Sequence, residues 1–134
     1  MPWSVEPTDT ATAWMRGLSP KDFERISGPL ALLREQGPAL GFPNVKRIKG
    51  SQHHNMKEVR SAGGNLRILF AFDSNRKAIL LVGGDKTNQW QSWYERNIPL
   101  ADRLLSDHLR KTGGRTQWRS QTPTAGRRSA ASGR

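Results

Sequence analysis

The sequence predicts an α+β fold: a small antiparallel, partly mixed sheet with N-terminal helices packed on it and a C-terminal helix. Three observations point there. Apolar residues recur at helical spacing up to about Leu33, form short strand-like runs between Met56 and Val82, and return to helical spacing between Trp90 and Leu109. Turn-length segments separate the central runs, which favours an antiparallel meander. A chain of 134 residues has room for one domain with one modest core. Residues 1–112 are expected to form that domain, followed by a basic tail, 113–134.

Taken in order, Trp3 to Pro7 alternates apolar and polar residues and reads as a short strand. It belongs at an edge, because Pro7 cannot donate to a ladder. Thr8 or Asp9 can cap a helix that runs to Arg16, with Ala11, Trp14 and Met15 on one face and Gly17 as its stop. Ser19 offers a second cap, ahead of Pro20 and Asp22, for a run carrying Phe23, Ile26, Leu30 and Leu33 to Gly37. Gly28-Pro29 interrupts that run. A proline inside a helix loses a hydrogen bond and clashes with the preceding turn, at about 3 kcal/mol, so a kink or two short helices are expected.

Val45 to Ile48 reads as a strand and residues 49–54 as a loop. Met56 to Arg60, Leu66 to Phe72 and Ala78 to Val82 form the meander. Gly83 to Lys86 is expected to break the sheet. Asn88 to Arg96 reads as a short helix with Trp90, Trp93 and Tyr94 three and four residues apart. Pro99 can then open a last helix to Leu109, its apolar side formed by Ala101, Leu104, Leu105 and Leu109. Beyond Gly113 one Trp stands among Gly, Ser, Thr and Arg, the composition of a disordered tail.

The formal net charge of +11 makes a polyanion the leading partner. Seven of the basic residues lie from Arg110 onward with no acid among them, and Val45 to Lys86 holds nine against three acids. The folded part therefore has a basic middle. With no cysteine, disulfide and thiolate chemistry are excluded. The three histidines match no zinc spacing, so neither a metal site nor a cofactor is expected. Neither a secretory leader nor an apolar run of membrane-spanning length is visible, and a cytoplasmic protein without a membrane partner is expected.

Arg60, Arg67 and Lys86 stand at or near the ends of apolar strand segments, with Lys57 and Glu58 alongside. Cations converging on one sheet edge make a place for a phosphate. A ribonuclease that leaves a cyclic phosphate must activate the 2′-hydroxyl, stabilise the charge gathering on phosphorus and relieve the leaving 5′-oxygen. Arginine and lysine supply the second need directly. The same cations also occur on sheet edges merely to block aggregation, so charge alone leaves both readings open.

Leu40-Gly41-Phe42-Pro43, the segment Ile48 to Arg60 with its Glu58-Val59-Arg60, the strand Leu66-Arg67-Ile68-Leu69-Phe70-Ala71-Phe72 and the segment Ile79 to Lys86 resemble the HigB/RelE family of toxins from bacterial toxin–antitoxin modules. The resemblance is to the phage-related HigB branch in its actinobacterial flavour and covers about residues 3–109. It implies a RelE/ParE-like fold and a metal-independent endoribonuclease, an mRNA interferase that cuts messages on the ribosome. A helix-turn-helix antitoxin would hold it inactive in a hetero-oligomer.

Residue by residue, Arg67 matches the family's strand arginine at the scissile phosphate. Lys86 matches the basic residue after the last strand's glycine, and Arg60 the arginine closing the preceding strand. Glu58 stands where RelE has a lysine, so it could act as the base or pin Arg60 and Lys57. Tyr94 lies close to the position of a tyrosine that stacks on a base in RelE, with Trp93 competing for that role. Lys57, His54 and Lys49 complete the expected RNA-binding set. His108 is expected to be structural or on the surface. Two rivals use the same fold otherwise: a ParE-like poison of DNA gyrase, and a non-catalytic protein that simply holds nucleic acid.

Overall fold

Residues 3–85 and 90–113 are described by a computed structural model. The expected basic tail beyond Gly113, and Lys86, lie outside the described residues. Among those described, five strands form one sheet in the order β1-β5-β4-β3-β2: β1 (Ser4–Pro7), β2 (Val45–Arg47), β3 (Lys57–Arg60), β4 (Arg67–Phe72) and β5 (Lys77–Gly84). β1 runs parallel to β5 and every other pairing is antiparallel. The sheet is therefore mixed, and the strand that ends in Pro7 is an edge, as expected.

Helices cover both faces. α1 (Asp9–Arg16) and α2 (Pro20–Gln36) start where the sequence places their caps. The Thr8 hydroxyl accepts the Ala11 N–H at 3.1 Å and donates to the Leu81 carbonyl at 3.1 Å, which ties the first helix to the sheet. The Ser19 hydroxyl accepts the Asp22 N–H at 3.1 Å. One core forms under these helices from Ile26, Leu33, Ile68, Phe70, Phe72 and Leu80. The other forms between the sheet and α3 (Trp90–Thr112) from Met56, Leu69, Leu81, Trp93, Ile98 and Leu105. Because β4 supplies side chains to both cores, it reads as an almost unbroken apolar run.

Three local expectations are corrected. Of the kink or two short helices expected at Gly28-Pro29, the two-helix form is not adopted: α2 is one helix through Pro29, which lies on the buried face with Ile26 and Leu33, where packing offsets the lost bond. α3 is likewise one helix through Pro99, held by Ile98, Ala101 and Leu105 on its buried side. Gly83 and Gly84 do not break the sheet; they are its last paired residues, opposite Ile68 and Arg67. They are small because tryptophans cover them: a Cβ on Gly83 would stand 2.3 Å from the Trp14 ring, and one on Gly84 2.5 Å from Trp93. In that way the strand end lets α3 come close to the sheet. A register shift between Leu69 and Phe70, opposite Val82 and Leu80, leaves Leu81 as the extra residue of a bulge.

Candidate active site

The antiparallel register sets Arg60 directly opposite Arg67, and Arg67 opposite Gly84. Residues facing each other across a ladder point to the same side, and alternate residues of one strand do too. Arg60, Arg67 and Glu58 therefore share the face covered by α3. The Cα atoms of Arg60 and Arg67 face each other at the roughly 4.5–5.5 Å of an antiparallel pair, so two guanidinium groups leave the sheet from neighbouring positions. The Arg60 Nε is buried and has no hydrogen-bond partner among the described residues.

Arg67 is held from three sides. Its Nη1 donates to the Tyr94 hydroxyl at 2.5 Å and lies 3.9 Å from Glu58 Oε2. Its guanidinium lies over the Trp90 ring, 4.2 Å from the centroid, a favourable cation–π position. Trp90 and Tyr94 are four residues apart on α3 and so occupy one face of that helix. Tyr94 in turn donates to Glu58 Oε1 at 2.5 Å. Glu58 is 1% exposed, and a carboxylate that deep needs such partners. Burial first, then the Glu58 carboxylate, push the Tyr94 phenol up to about 12, although Arg67 opposes them. The phenol is therefore a proton donor, not a phenolate, throughout the neutral range.

Beside this trio opens a cleft of about 590 Å³ between the end of β2 and α3. Lys46, Arg47 and Lys49 line one wall, Gln91, Tyr94, Glu95 and Ile98 line the other, and Glu58 also lines it. Three cations on one wall suit an anionic chain, and the buried carboxylate and phenol give the cleft groups able to exchange a proton.

A family model described as "Phage derived protein Gp49-like" matches residues 13–106. The chain belongs to this Gp49-like family of HigB-type proteins. Its similarity to the Mycobacterium tuberculosis protein named "Putative toxin HigB3" is 47% identity over 100 residues, 71% of this chain and 88% of that one. With "Putative toxin HigB2" of the same organism it is 40% identical over 110 residues, 80% of this chain but only 54% of the relative. Among solved structures, free Escherichia coli toxin RelE in a mutant form matches 78% of this chain and 99% of its own, at TM-score 0.55 and 14% identity. The toxin–antitoxin complex RelBE2 of M. tuberculosis contains a chain that matches 64% of this one along its full length, at TM-score 0.51 and 17% identity. At those identities the likeness is one of fold, and it is the RelE-like fold that the sequence led us to expect.

In this HigB-type chain the structure brings together Arg67, Arg60, Glu58 and Tyr94 of the residues singled out from sequence. Lys57 is not with them. Adjacent to Glu58 in β3, it points to the opposite face, where its ammonium lies 5.4 Å from the Phe72 ring centroid. Burial, and after it Arg47, push its pKa below the ordinary lysine value. Trp93 is 6% exposed and packed in the core against Gly84. Lys49 lines the cleft. His54 is exposed, and its carbonyl accepts Arg47 Nη2 at 3.4 Å. His108 pairs with the fully buried Asp73 at 3.0 Å. Trp90 as the seat of Arg67 is what the sequence reading missed; its four-residue spacing from Tyr94 was the available signal. No cluster of His, Asp or Glu among the described residues is arranged to hold a metal ion, and no helix among them is long and apolar enough to cross a membrane.

Proposed function

We propose that this protein is the toxin of a toxin–antitoxin module and cuts messenger RNA on the ribosome, with no metal in the chemistry. The observation that carries the reading is the pair Arg60 and Arg67, abreast at one end of the sheet, with Arg67 fixed by Tyr94, Glu58 and Trp90 beside a cleft with a basic wall. The family membership supports it.

In this reading Arg67 and Arg60 bind the scissile phosphate and stabilise the charge that grows on it, the largest single contribution such a site can make. The 2′-hydroxyl proton passes to the Tyr94 hydroxyl while the Tyr94 proton passes to Glu58 Oε1. The 2′-oxygen bonds to phosphorus, the bond from phosphorus to the 5′-oxygen breaks, and that oxygen takes a proton from solvent or from Lys86. The products are a 2′,3′-cyclic phosphate and a 5′-hydroxyl. A helix-turn-helix antitoxin holds the toxin inactive in a hetero-oligomer; the RelBE2 structure of M. tuberculosis is likewise a toxin–antitoxin complex.

Expression in bacteria with primer extension on translated messages tests the reading. Growth arrest with new 5′ ends inside coding regions is expected. Arrest with intact messages and a DNA-damage response would favour a gyrase poison instead, and no arrest at all would remove the toxin reading.

A further inference from the structure

Lys49 and Gly50 belong to the cleft wall that faces Tyr94, yet they sit in a loop without regular structure of its own. Gly50 turns at φ 89°, in the left-handed region that glycine enters without steric cost. The loop is fastened to α3 at two points one helical turn apart. Asp102, only 6% exposed, accepts the Ser51 hydroxyl on Oδ1 at 2.5 Å and the Gln52 N–H on Oδ2 at 3.0 Å. The Ser51 hydroxyl itself accepts the His53 N–H at 2.9 Å, and His53 Nε2 lies 3.0 Å from the Ser106 hydroxyl. Both oxygens of a buried carboxylate are thus occupied by one loop, and hydrogen bonds to a charged acceptor are the stronger kind.

We propose that Asp102 is a positioning residue for RNA binding. By anchoring the 49–54 loop it fixes Lys49 against the cleft, so that an RNA backbone meets a preformed wall and no loop has to be ordered on binding. Asp102 itself touches no RNA. The proposal rests on the message-cleaving reading, and a purely structural role makes a different forecast: lower stability, with the contribution of Lys49 unchanged.

The experiment uses the full chain as wild type, Asp102→Asn, Lys49→Ala and the double variant. It measures binding of a short single-stranded RNA, amide exchange at residues 51–53, and kcat and KM for cleavage of a ribosome-bound message. An asparagine keeps the size but can no longer accept both donors. Asp102→Asn should speed exchange at Gln52 by about tenfold or more. It should raise Kd and KM about tenfold with kcat within about twofold. Lys49→Ala should cost about tenfold in affinity alone but less than about twofold in the Asp102→Asn background. Unchanged affinity, losses that multiply, or a fall in kcat at constant KM would each overturn the proposal. If Asp102→Asn fails to fold, Ser51→Ala removes one of the two bonds from the loop side and takes its place. A wild type that binds RNA without cutting it overturns the nuclease reading and leaves the affinities to decide the role of Asp102. One that neither binds RNA nor cuts the ribosome-bound message overturns both.

Discussion

The Tyr94 hydroxyl lies 2.5 Å from Glu58 Oε1, joining α3 to β3 across 36 residues of sequence. Burial first, and then that bond, hold the proton on the phenol. Tyr94 is the chain's single tyrosine, so its ionisation can be followed alone by ultraviolet absorbance. The midpoint is expected near 12 in the native protein, and Glu58→Gln should bring it down toward the ordinary value of about 10. Because the folded-state pKa is raised, the stabilisation is complete below the unfolded value and fades as pH climbs from that value through the folded one. A native midpoint at the ordinary value would show that the bond does not exist in solution.

Gly84 ends β5 beneath Trp93, and Trp93 precedes Tyr94 on α3. Gly84→Ala should therefore do two things. An added methyl in a filled space costs about 1–3 kcal/mol, readable by urea unfolding, and it pushes α3 outward so that Tyr94 leaves Arg67. Gly28→Ala, with nothing within 4 Å of the new atom, serves as the control and should be neutral or slightly stabilising. Equal behaviour of the two variants would contradict the packing described for the strand end.

Asp73 is fully buried in the turn between β4 and β5. Its Oδ1 accepts the N–H groups of Asn75 and Lys77 at 2.9 and 3.1 Å, while Oδ2 meets His108 Nε2 at 3.0 Å. Asp73→Ala should cost about 1–3 kcal/mol, the range for leaving buried donors without their acceptor, measured by denaturant unfolding. His108→Ala should cost less, because the turn keeps its acceptor. A loss under about 1 kcal/mol for Asp73→Ala would show that the turn satisfies itself without the carboxylate.

Much of this was legible in the sequence, and the failures have physical causes. The strand that starts at Ser4 announces itself through alternation and Pro7, and the helix starts through Thr8 and Ser19, because these signals are local. Pro29 reads as an interruption and Pro99 as the start of a separate helix, because a proline's cost is local but the packing that outweighs it, around Ile26, Leu33, Ile98 and Leu105, is not. Gly83 and Gly84 looked like a break for the same reason, since nothing nearby in sequence mentions Trp14 or Trp93. In the site, the period of two in a strand already separates Lys57 from Glu58 and Arg60. The clasp of Arg67 by Tyr94 and Trp90 needs α3 to fold back over the sheet, which no spacing states.

The central claim is that Arg67, clasped by Tyr94 and Trp90, performs phosphate chemistry on a message. The most direct measurement is cleavage by purified protein of a message bound to purified ribosomes, with the ends of the fragments analysed, for wild type, Arg67→Ala and Arg67→Lys. Wild-type protein should give fragments that end in a 2′,3′-cyclic phosphate and a 5′-hydroxyl. Arg67→Ala should lose about 10²–10³ in rate, and lysine should rescue it poorly, because it lacks the planar fork that can stack and donate at once. Wild-type protein that leaves the message intact, or an Arg67→Ala variant that cuts as fast as wild type, would contradict the claim.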